Sequence, residues 1–320
     1  MFRIPPLSIK FKKLLIFVLI TASSGLSSLF SQSKTLNFDH IRLGKGQDVN
    51  FVYKILQDSQ GFIWFGTLNG LIRYDGFHIK HYPFDPNGNS QIKGRRINAL
   101  LEDASKNIWI VAGNRLQVLN PKLDSFFTFS DLGVDSLLQY SDSKYNELLL
   151  QDSSGKLWLR SNRGLFAIQE QKKGKPYLVK IYKHDPDDPT SLSNDKINSL
   201  LLDQHERLWI ATEHGLNYYD EKNDKVIPLD QPFTAPITSL CETDSGKICI
   251  GTSGSGVWIF DPVKKVFKNY LPPRQEGTSA KDEIVRQIVR DGKGNIWLFS
   301  GSSQTNRFTL QQFDPQSGHF

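Results

Sequence analysis

Few side chains in this sequence have the types and spacing that chemistry requires. The adjacent pair Glu213 and His214 offers an acid and a base, but catalysis needs such groups to converge from several segments. We therefore interpret His214 as an exposed turn residue or a ligand contact. Asp185, Asp187 and Asp188 crowd one segment and could bind calcium, but Asp-Pro pairs also form turns, which is what we expect. The sequence thus predicts no metal site and no cofactor.

Two glycine-containing motifs lack the partners that would make them catalytic. Gly246-Lys247 is followed by Ile248, where a phosphate-binding loop needs Ser or Thr. Gly254-Ser255-Gly256 lies in a predicted loop between two strands, whereas a nucleophile elbow requires a strand-to-helix turn. We expect no catalytic residue and no enzymatic activity in this chain.

The two cysteines, Cys241 and Cys249, flank a turn centred on Ser245. That turn predicts that they lie opposite each other on neighbouring strands. In an oxidising compartment this placement permits a disulfide. Two buried free thiols that replace apolar residues are the other interpretation, and the residues leave both open.

The elements that position these residues come from a repeat. Its core is an Asp followed six residues later by Trp, with the Trp positions 45 to 51 residues apart where both neighbours have it. The pairs are Asp58 and Trp64, Asp103 and Trp109, Asp152 and Trp158, Asp203 and Trp209, and Asp291 and Trp297. A degraded copy has Thr243 and Cys249 at the two positions.

Each repeat holds four short predicted strands, A to D. Strand A precedes the Asp turn, B contains the Trp, C contains a Gly-Leu pair such as Gly70-Leu71, and D is a short stretch with aromatic residues. Antiparallel four-stranded units at this period predict an all-β fold, a β-propeller of six recognisable four-stranded blades. We expect each Trp to pack against the next blade and each Asp to bond its own turn rather than a metal.

The motifs resemble the two-component regulator propeller repeat. The resemblance lies in the stretch from Asp58 to Thr67, in Gly70-Leu71, in Tyr74-Asp75-Gly76 and in the segment from His184 to Asp195. It covers residues 36–320. It implies the periplasmic sensor of a hybrid two-component system of the Bacteroidetes type, in which two seven-bladed propellers usually precede a β-sandwich, a membrane helix and a histidine kinase.

In that family many sensors detect oligosaccharides, so the resemblance implies an oligosaccharide or other small-molecule ligand. Any kinase activity would lie in C-terminal domains outside this chain. We expect residues 34–320 to be an N-terminal fragment, a propeller sensor domain truncated within the sixth repeat and part of a seven-bladed propeller.

The N-terminus has the pattern of an export signal. Four basic residues up to Lys13 precede the apolar run from Leu14 to Ile20. This run is short for a membrane span, so we expect residues 1–33 to be a cleaved signal peptide, with an uncleaved anchor as the alternative. The mature chain would then be periplasmic or secreted and would have no membrane span.

Net charge argues against nucleic acid as a partner. Of 39 basic residues, four lie in residues 1–33, which leaves 35 against 33 acidic residues. A domain this close to neutral lacks the basic surface that nucleic-acid binding requires.

Function is expected at the end of the blades that carries the B–C loops, because loops that vary on a rigid scaffold are where binding specificity is built. The candidate ligand-binding residues are Asn69, Asn114, Arg115, Asn162, Arg163, Glu213, His214, Ser253, Ser255 and Arg307. The alternatives to ligand sensing are a scaffold for protein partners, including a homodimer, and a propeller lyase or glycosidase.

Ring closure is the last expectation. Leu36 to Leu43 resembles a strand D with Phe38 and Ile41 among polar residues, and we place it as the outer strand of the final blade. We expect the six repeats to form an arc with one gap, at which apolar faces would be exposed, and a strained closed ring of six blades is the alternative.

Overall fold

A computed structural model describes residue 43 and residues 51–85, 91–113, 115–129, 149–161, 163–170, 177–273, 283–302, 304–305 and 307–320. Its strands form six antiparallel sheets in which strand order follows chain order. Each sheet corresponds to one predicted repeat, and we call the sheets blades 1 to 6.

The strand boundaries follow the repeat. Blade 1 contains β1 (Val52–Gln57), β2 (Ile63–Thr67), β3 (Gly70–Tyr74) and β4 (Ile79–Pro83). Blade 2 contains β5 (Ile97–Glu102), β6 (Ile108–Ala112), β7 (Arg115–Asn120) and β8 (Ser125–Thr128). Blade 3 contains β9 (Leu149–Gln151), β10 (Leu157–Ser161), β11 (Gly164–Glu170) and β12 (Tyr177–Tyr182).

The later blades repeat this order. Blade 4 contains β13 (Ile197–Leu202), β14 (Leu208–Thr212), β15 (Gly215–Asp220) and β16 (Lys225–Pro228). Blade 5 contains β17 (Ile237–Glu242), β18 (Ile248–Thr252), β19 (Val257–Asp261) and β20 (Val266–Tyr270). Blade 6 contains β21 (Glu283–Arg290), β22 (Ile296–Ser302) and β23 (Arg307–Phe313). The all-β propeller class is therefore confirmed, with three described strands in the sixth sheet.

The turn between strands A and B has the same structure in each blade. In blade 1, Asp58 Oδ1 accepts the backbone N–H of Gln60 and of Phe62, at 3.0 and 2.9 Å. The residue three positions after the Asp takes a left-handed φ, as at Gly61 with φ 91° and Glu206 with φ 59°. The expected structural role of the Asp is confirmed, because its carboxylate caps its own turn.

The same carboxylate also holds the tryptophan of strand B. Trp64 Nε1 donates to Asp58 Oδ2 at 2.8 Å. The other four pairs repeat this bond over 2.8–3.1 Å: Trp109 to Asp103, Trp158 to Asp152, Trp209 to Asp203 and Trp297 to Asp291. A buried indole N–H thus has its acceptor, and the turn is tied to the core.

Four of these five tryptophans, those of blades 1 to 4, pack against the following blade, as predicted. Trp109 lies in one apolar cluster with Leu149, Leu157 and Phe166 of blade 3. Trp158 lies in another with Leu208 and Ile210 of blade 4. The core is therefore divided among the junctions between consecutive blades.

Blade 5 differs at this position. Cys241 of β17 lies opposite Cys249 of β18, as the sequence predicted. Both are buried free thiols. Burial raises the pKa of the Cys241 thiol to about 11, so both behave as small apolar residues.

The first and last described blades each expose one apolar face. Ile55 of β1 is 66% exposed, whereas Leu200 and Leu240, at the corresponding positions of blades 4 and 5, are 6% and 7% exposed. Val289, Phe299 and Leu310 of blade 6 are also exposed, and Trp297 is only half-buried. Of the segment from Leu36 to Leu43, the described part is Leu43, which is buried against Phe65 and Ile72 of blade 1. Closure of the ring and the strand D assignment stay predictions.

Candidate functional site

The B–C loops lie at one end of the blades, together with the D–A connections, and we call this the loop end. The opposite end carries the A–B and C–D turns, and we call it the turn end. In blade 1, Thr67 Oγ1 at the end of strand B donates to Gly70 O at 2.8 Å and accepts the N–H of Asn69 at 3.1 Å. One hydroxyl therefore fixes the whole turn.

A Ser or Thr hydroxyl at the end of strand B makes the same two hydrogen bonds in three more blades, and the residue whose N–H it accepts differs each time. Ser161 Oγ accepts the N–H of Arg163, and Thr212 Oγ1 accepts that of His214. Thr252 Oγ1 accepts the N–H of Ser255 at 3.1 Å. Asn69, Arg163, His214 and Ser255 thus occupy corresponding positions just before a glycine. The hydrogen bonds that hold the B–C turn are therefore constant, whereas the side chain just before the glycine varies.

Backbone hydrogen bonds tie the D–A connections to the B–C turns on both sides. Between blades 1 and 2, the carbonyl of Arg95 accepts the N–H of Gly70 at 3.2 Å. The carbonyl of the next residue, Arg96, accepts the N–H of Gly113 of blade 2 at 2.7 Å. This connection is therefore held by the turns of two neighbouring blades.

The other described connections follow the same rule. Asp195 O accepts the N–H of Gly164 and Lys196 O accepts that of Glu213, so the connection between blades 3 and 4 is held twice. In blade 5, Ser253 N–H donates to Pro236 O at 2.9 Å. These bonds fix the loop end as a rigid surface, which lowers the entropy cost of binding a ligand there.

The predicted site residues are placed as follows. Arg115, Arg163, His214 and Arg307 are exposed, and Asn69, Glu213, Ser253 and Ser255 are partly buried. All eight lie in or beside B–C turns. Asn114 and Asn162 lie outside the described residues.

Glu213 and His214 have polar neighbours that reduce their value as a catalytic pair. Glu213 forms an ion pair with Lys196, and the ring Nδ1 of His214 lies 3.2 Å from Asn194 Nδ2. Both partners come from the adjoining D–A connection. The pair is therefore part of a local network at one junction rather than a meeting point of several blades.

Sequence reasoning missed the side chains that the D–A connections bring to the loop end. Arg95 is exposed. Arg96 Nε donates to Asn98 Oδ1 at 2.7 Å, and its guanidinium lies 5.3 Å from the ring centre of Tyr53. The doublet Arg95-Arg96 stands directly before strand A, as Asp195-Lys196 does, so the repeat marks its position, but the sequence prediction considered the B–C loops alone.

The loop end is consequently rich in cations. Its described basic residues include Arg95, Arg96, Arg115, Arg163, Lys196 and Arg307. Guanidinium groups present several N–H donors in a fixed plane and suit oxygen-rich ligands. The loop end also carries acids such as Asp195 and Glu213, so it offers an oxygen-rich ligand guanidinium donors rather than a net positive charge.

The described residues contain no group of three or more His, Cys, Asp or Glu side chains arranged to hold a metal ion. In the crowded aspartate segment, Asp185 accepts the N–H of Asp187 and Asp188 accepts that of Thr190, so these carboxylates cap turns. Across the described part of the chain, there is also no helix with the length and apolarity to cross a bilayer.

Comparison with known proteins agrees with the motifs. The two component regulator propeller family matches this chain over residues 46–69 and 191–214. Histidine kinase P4 of Formosa agariphila is 22% identical over 295 residues, which cover 84% of this chain and 20% of that protein. This chain therefore spans about a fifth of that relative.

Two solved structures show the fold. The extracellular domain assigned to a hybrid two component system of B. thetaiotaomicron superposes with a TM-score of 0.59 at 21% identity, covering 87% of this chain and 35% of that one. Virginiamycin B lyase from Staphylococcus aureus superposes with a TM-score of 0.55 at 12% identity, covering 84% and 86%. The resemblance to two-component regulator propellers is confirmed.

Proposed function

We propose that this two-component regulator propeller is the extracellular or periplasmic ligand-binding part of a sensor, and that it binds an oligosaccharide at the loop end. The repeat match over residues 46–69 and 191–214 carries the assignment to a sensor. The relationship to a histidine kinase and the likeness to the extracellular domain assigned to a hybrid two component system support it.

The observation that supports the binding surface is that the B–C turns share one hydrogen-bonding pattern but carry different side chains before the glycine. Asn69, Arg163, His214 and Ser255 stand at corresponding turn positions. An amide, a guanidinium, an imidazole and a hydroxyl together supply both donors and acceptors, as a chain of sugar hydroxyls requires. Because each comes from a different blade, a ligand that spans several blades would contact several of them.

A glycan array tests this proposal. The purified chain should bind a defined subset of oligosaccharides, and free ligand should compete. Binding to no glycan on a broad array would contradict the oligosaccharide assignment. Light scattering on the same sample would then test the scaffold alternative, which a stable homodimer without glycan binding would favour.

The likeness to virginiamycin B lyase, which extends over most of both chains, makes a lyase the second candidate. In this chain, Glu213 and His214 are engaged by Lys196 and Asn194 of one junction. We therefore expect no turnover when pure protein is incubated with virginiamycin B and followed by mass spectrometry. Turnover that Glu213→Gln abolishes would replace the sensor proposal with an enzyme.

A further inference from the structure

The junction between blades 1 and 2 is closed at the turn end by a carboxylate. Lys80 Nζ lies 2.7 Å from Asp124 Oδ2, and Tyr82 OH donates to Asp124 Oδ1 at 2.8 Å. Lys80 also lies over the Tyr82 ring, 4.9 Å from its centre. Strand D of one blade thus supplies a cation and a phenol, and the C–D turn of the next supplies the anion.

The junction between blades 3 and 4 is closed in the same way. Lys180 and Tyr182 of strand D both contact the Asp224 carboxylate. Tyr219 OH adds a third bond at 2.8 Å. Asp124 and Asp224 share a left-handed φ, 53° and 51°, because each is the fifth residue of its C–D turn.

The junction between blades 5 and 6 keeps the cation and the phenol but not the carboxylate. Lys268 lies over the ring of Tyr270, 4.7 Å from its centre, as its counterparts do. The fifth residue of the facing C–D turn, which begins at Asp314, is Gly318 with φ 81°. Tyr270 OH donates instead to the backbone carbonyl of Pro315, at 3.2 Å.

The same junction also lacks the tryptophan–aspartate pair, since Thr243 and Cys249 replace both members. A pocket of about 510 Å³ lies there at the turn end. Its lining includes Thr243, Lys247, Lys264, Lys268, Tyr270 and Asp314. The volume falls within the range of about 300–1,000 Å³ that small-molecule sites occupy.

The carboxylates around this pocket already have partners. Asp261 accepts the N–H groups of Val263 and Lys264, and Asp314 accepts those of Gln316 and Ser317. Asp244 forms an ion pair with Arg290. Lys247 Nζ lies 3.9 Å from Asp261, and Lys264 and Lys268 form no ion pair among the described residues. The lining thus carries three lysines and three aspartates, and Lys264 and Lys268 are the described cations there that a ligand carboxylate could pair with.

We propose that this pocket binds the carboxylate of a small molecule, which replaces the Pro315 carbonyl as the acceptor of the Tyr270 O–H and pairs with Lys268 Nζ. Asp124 and Asp224 are held by a tyrosine and a lysine in this way at the other two junctions. The site lies at the turn end, so it is separate from the oligosaccharide surface proposed above. Lys247 and Lys264 attract the same anion, and the space around Thr243 takes the rest of the molecule.

Acetate is a direct probe of the proposed carboxylate site at Lys268 and Tyr270. The chain is labelled with ¹³C on its tyrosine rings, its ten tyrosines are followed by NMR, and Tyr270 is assigned through Tyr270→Phe. Titration with acetate at constant ionic strength should shift the Tyr270 resonance saturably, and chloride should not. Tyr82 and Tyr182 are internal controls whose resonances should not shift, because their hydroxyls already donate to Asp124 and Asp224.

Variants separate this site from a general effect of acetate. Lys268→Gln should raise the half-saturating acetate concentration at least tenfold, and Gly318→Asp should abolish the shift by supplying an internal carboxylate. A Cβ at Gly318 would lie 2.5 Å from the Tyr270 ring, so Gly318→Asp could misfold. In that case Lys268→Gln, at an exposed position, decides the test. Lys222→Gln is the matched control. A Tyr270 shift no larger than that of Tyr82, or an unchanged half-saturation in Lys268→Gln, would overturn the proposal.

Discussion

At the turn end, five of the six repeats place the same two side chains in the same hydrogen bond, whereas at the loop end the backbone repeats and the side chains change. Asp58 and Trp64 are bonded as Asp203 and Trp209 are. At the corresponding loop positions stand Asn69 and His214. Identity at one end fits a role in stability that every blade shares, and variation at the other fits recognition, because a ligand meets each blade at a different point.

Removing a tryptophan at the turn end should have the largest effect on stability. Trp109 is 1% exposed, so Trp109→Ala leaves a cavity and should lower the free energy of unfolding by about 3–5 kcal/mol. Urea denaturation measures the loss. Trp297→Ala is the matched control, since Trp297 makes the same type of bond to Asp291 but is only half-buried. Equal losses would mean that packing against the next blade is not what the tryptophan contributes.

Removing the aspartate partner should have a smaller effect. Asp203 accepts bonds from the indole of Trp209 and from the N–H groups of His205 and Arg207. Burial raises the pKa of the Asp203 carboxyl, but these bonds outweigh it and hold the pKa below the ordinary value. Asp203→Ala leaves the donors without their acceptor and should cost about 1–3 kcal/mol in the same assay. Asp230→Ala, at an exposed aspartate, should cost almost nothing.

The bonds that Lys180, Tyr182 and Tyr219 make to the Asp224 carboxylate should make the free energy of unfolding depend weakly on pH. Burial raises the pKa of this carboxyl, but bonds from Lys180, Tyr182 and Tyr219 outweigh it and lower the pKa to about 2. The contribution is present above the unfolded pKa of about 4 and is lost as pH falls towards 2. Because Asp224 is half-exposed, we expect less than about 1 kcal/mol. The stability difference between wild type and Asp224→Asn should shrink between pH 5 and pH 2, and a constant difference would contradict this account.

How far the sequence predicts the structure also differs between the two ends. The period of the Asp and Trp positions predicted the blades, the turn and the contact with the next blade. It also predicted that Cys241 faces Cys249, because the register of a hairpin follows from its turn. The bond between Asp58 and the Trp64 indole was not predicted, since a six-residue spacing across a turn brings the two together only once the hairpin is formed.

At the loop end, sequence reasoning found the turns but not their neighbours. Arg95 and Lys196 lie within two residues of the start of strand A, so the repeat marks their positions, but the prediction considered the B–C loops alone. The anion site proposed around Lys268 was not predicted from the sequence either. It depends on residues of two blades, and the change from Asp124 to Gly318 is visible only when their C–D turns are superposed.

The central claim is that the loop end binds the ligand and the turn end holds the blades together. Isothermal titration with an oligosaccharide identified on the array tests it most directly, using a double variant, Arg115→Ala with Arg163→Ala. The control is Lys122→Ala with Lys222→Ala, which removes two exposed cations at the turn end. We predict at least tenfold weaker binding for the arginine variant, an unchanged affinity for the lysine variant, and melting temperatures close to wild type for both. Unchanged binding in the arginine variant, or a fall in its melting temperature that accounts for the lost binding, would contradict the claim.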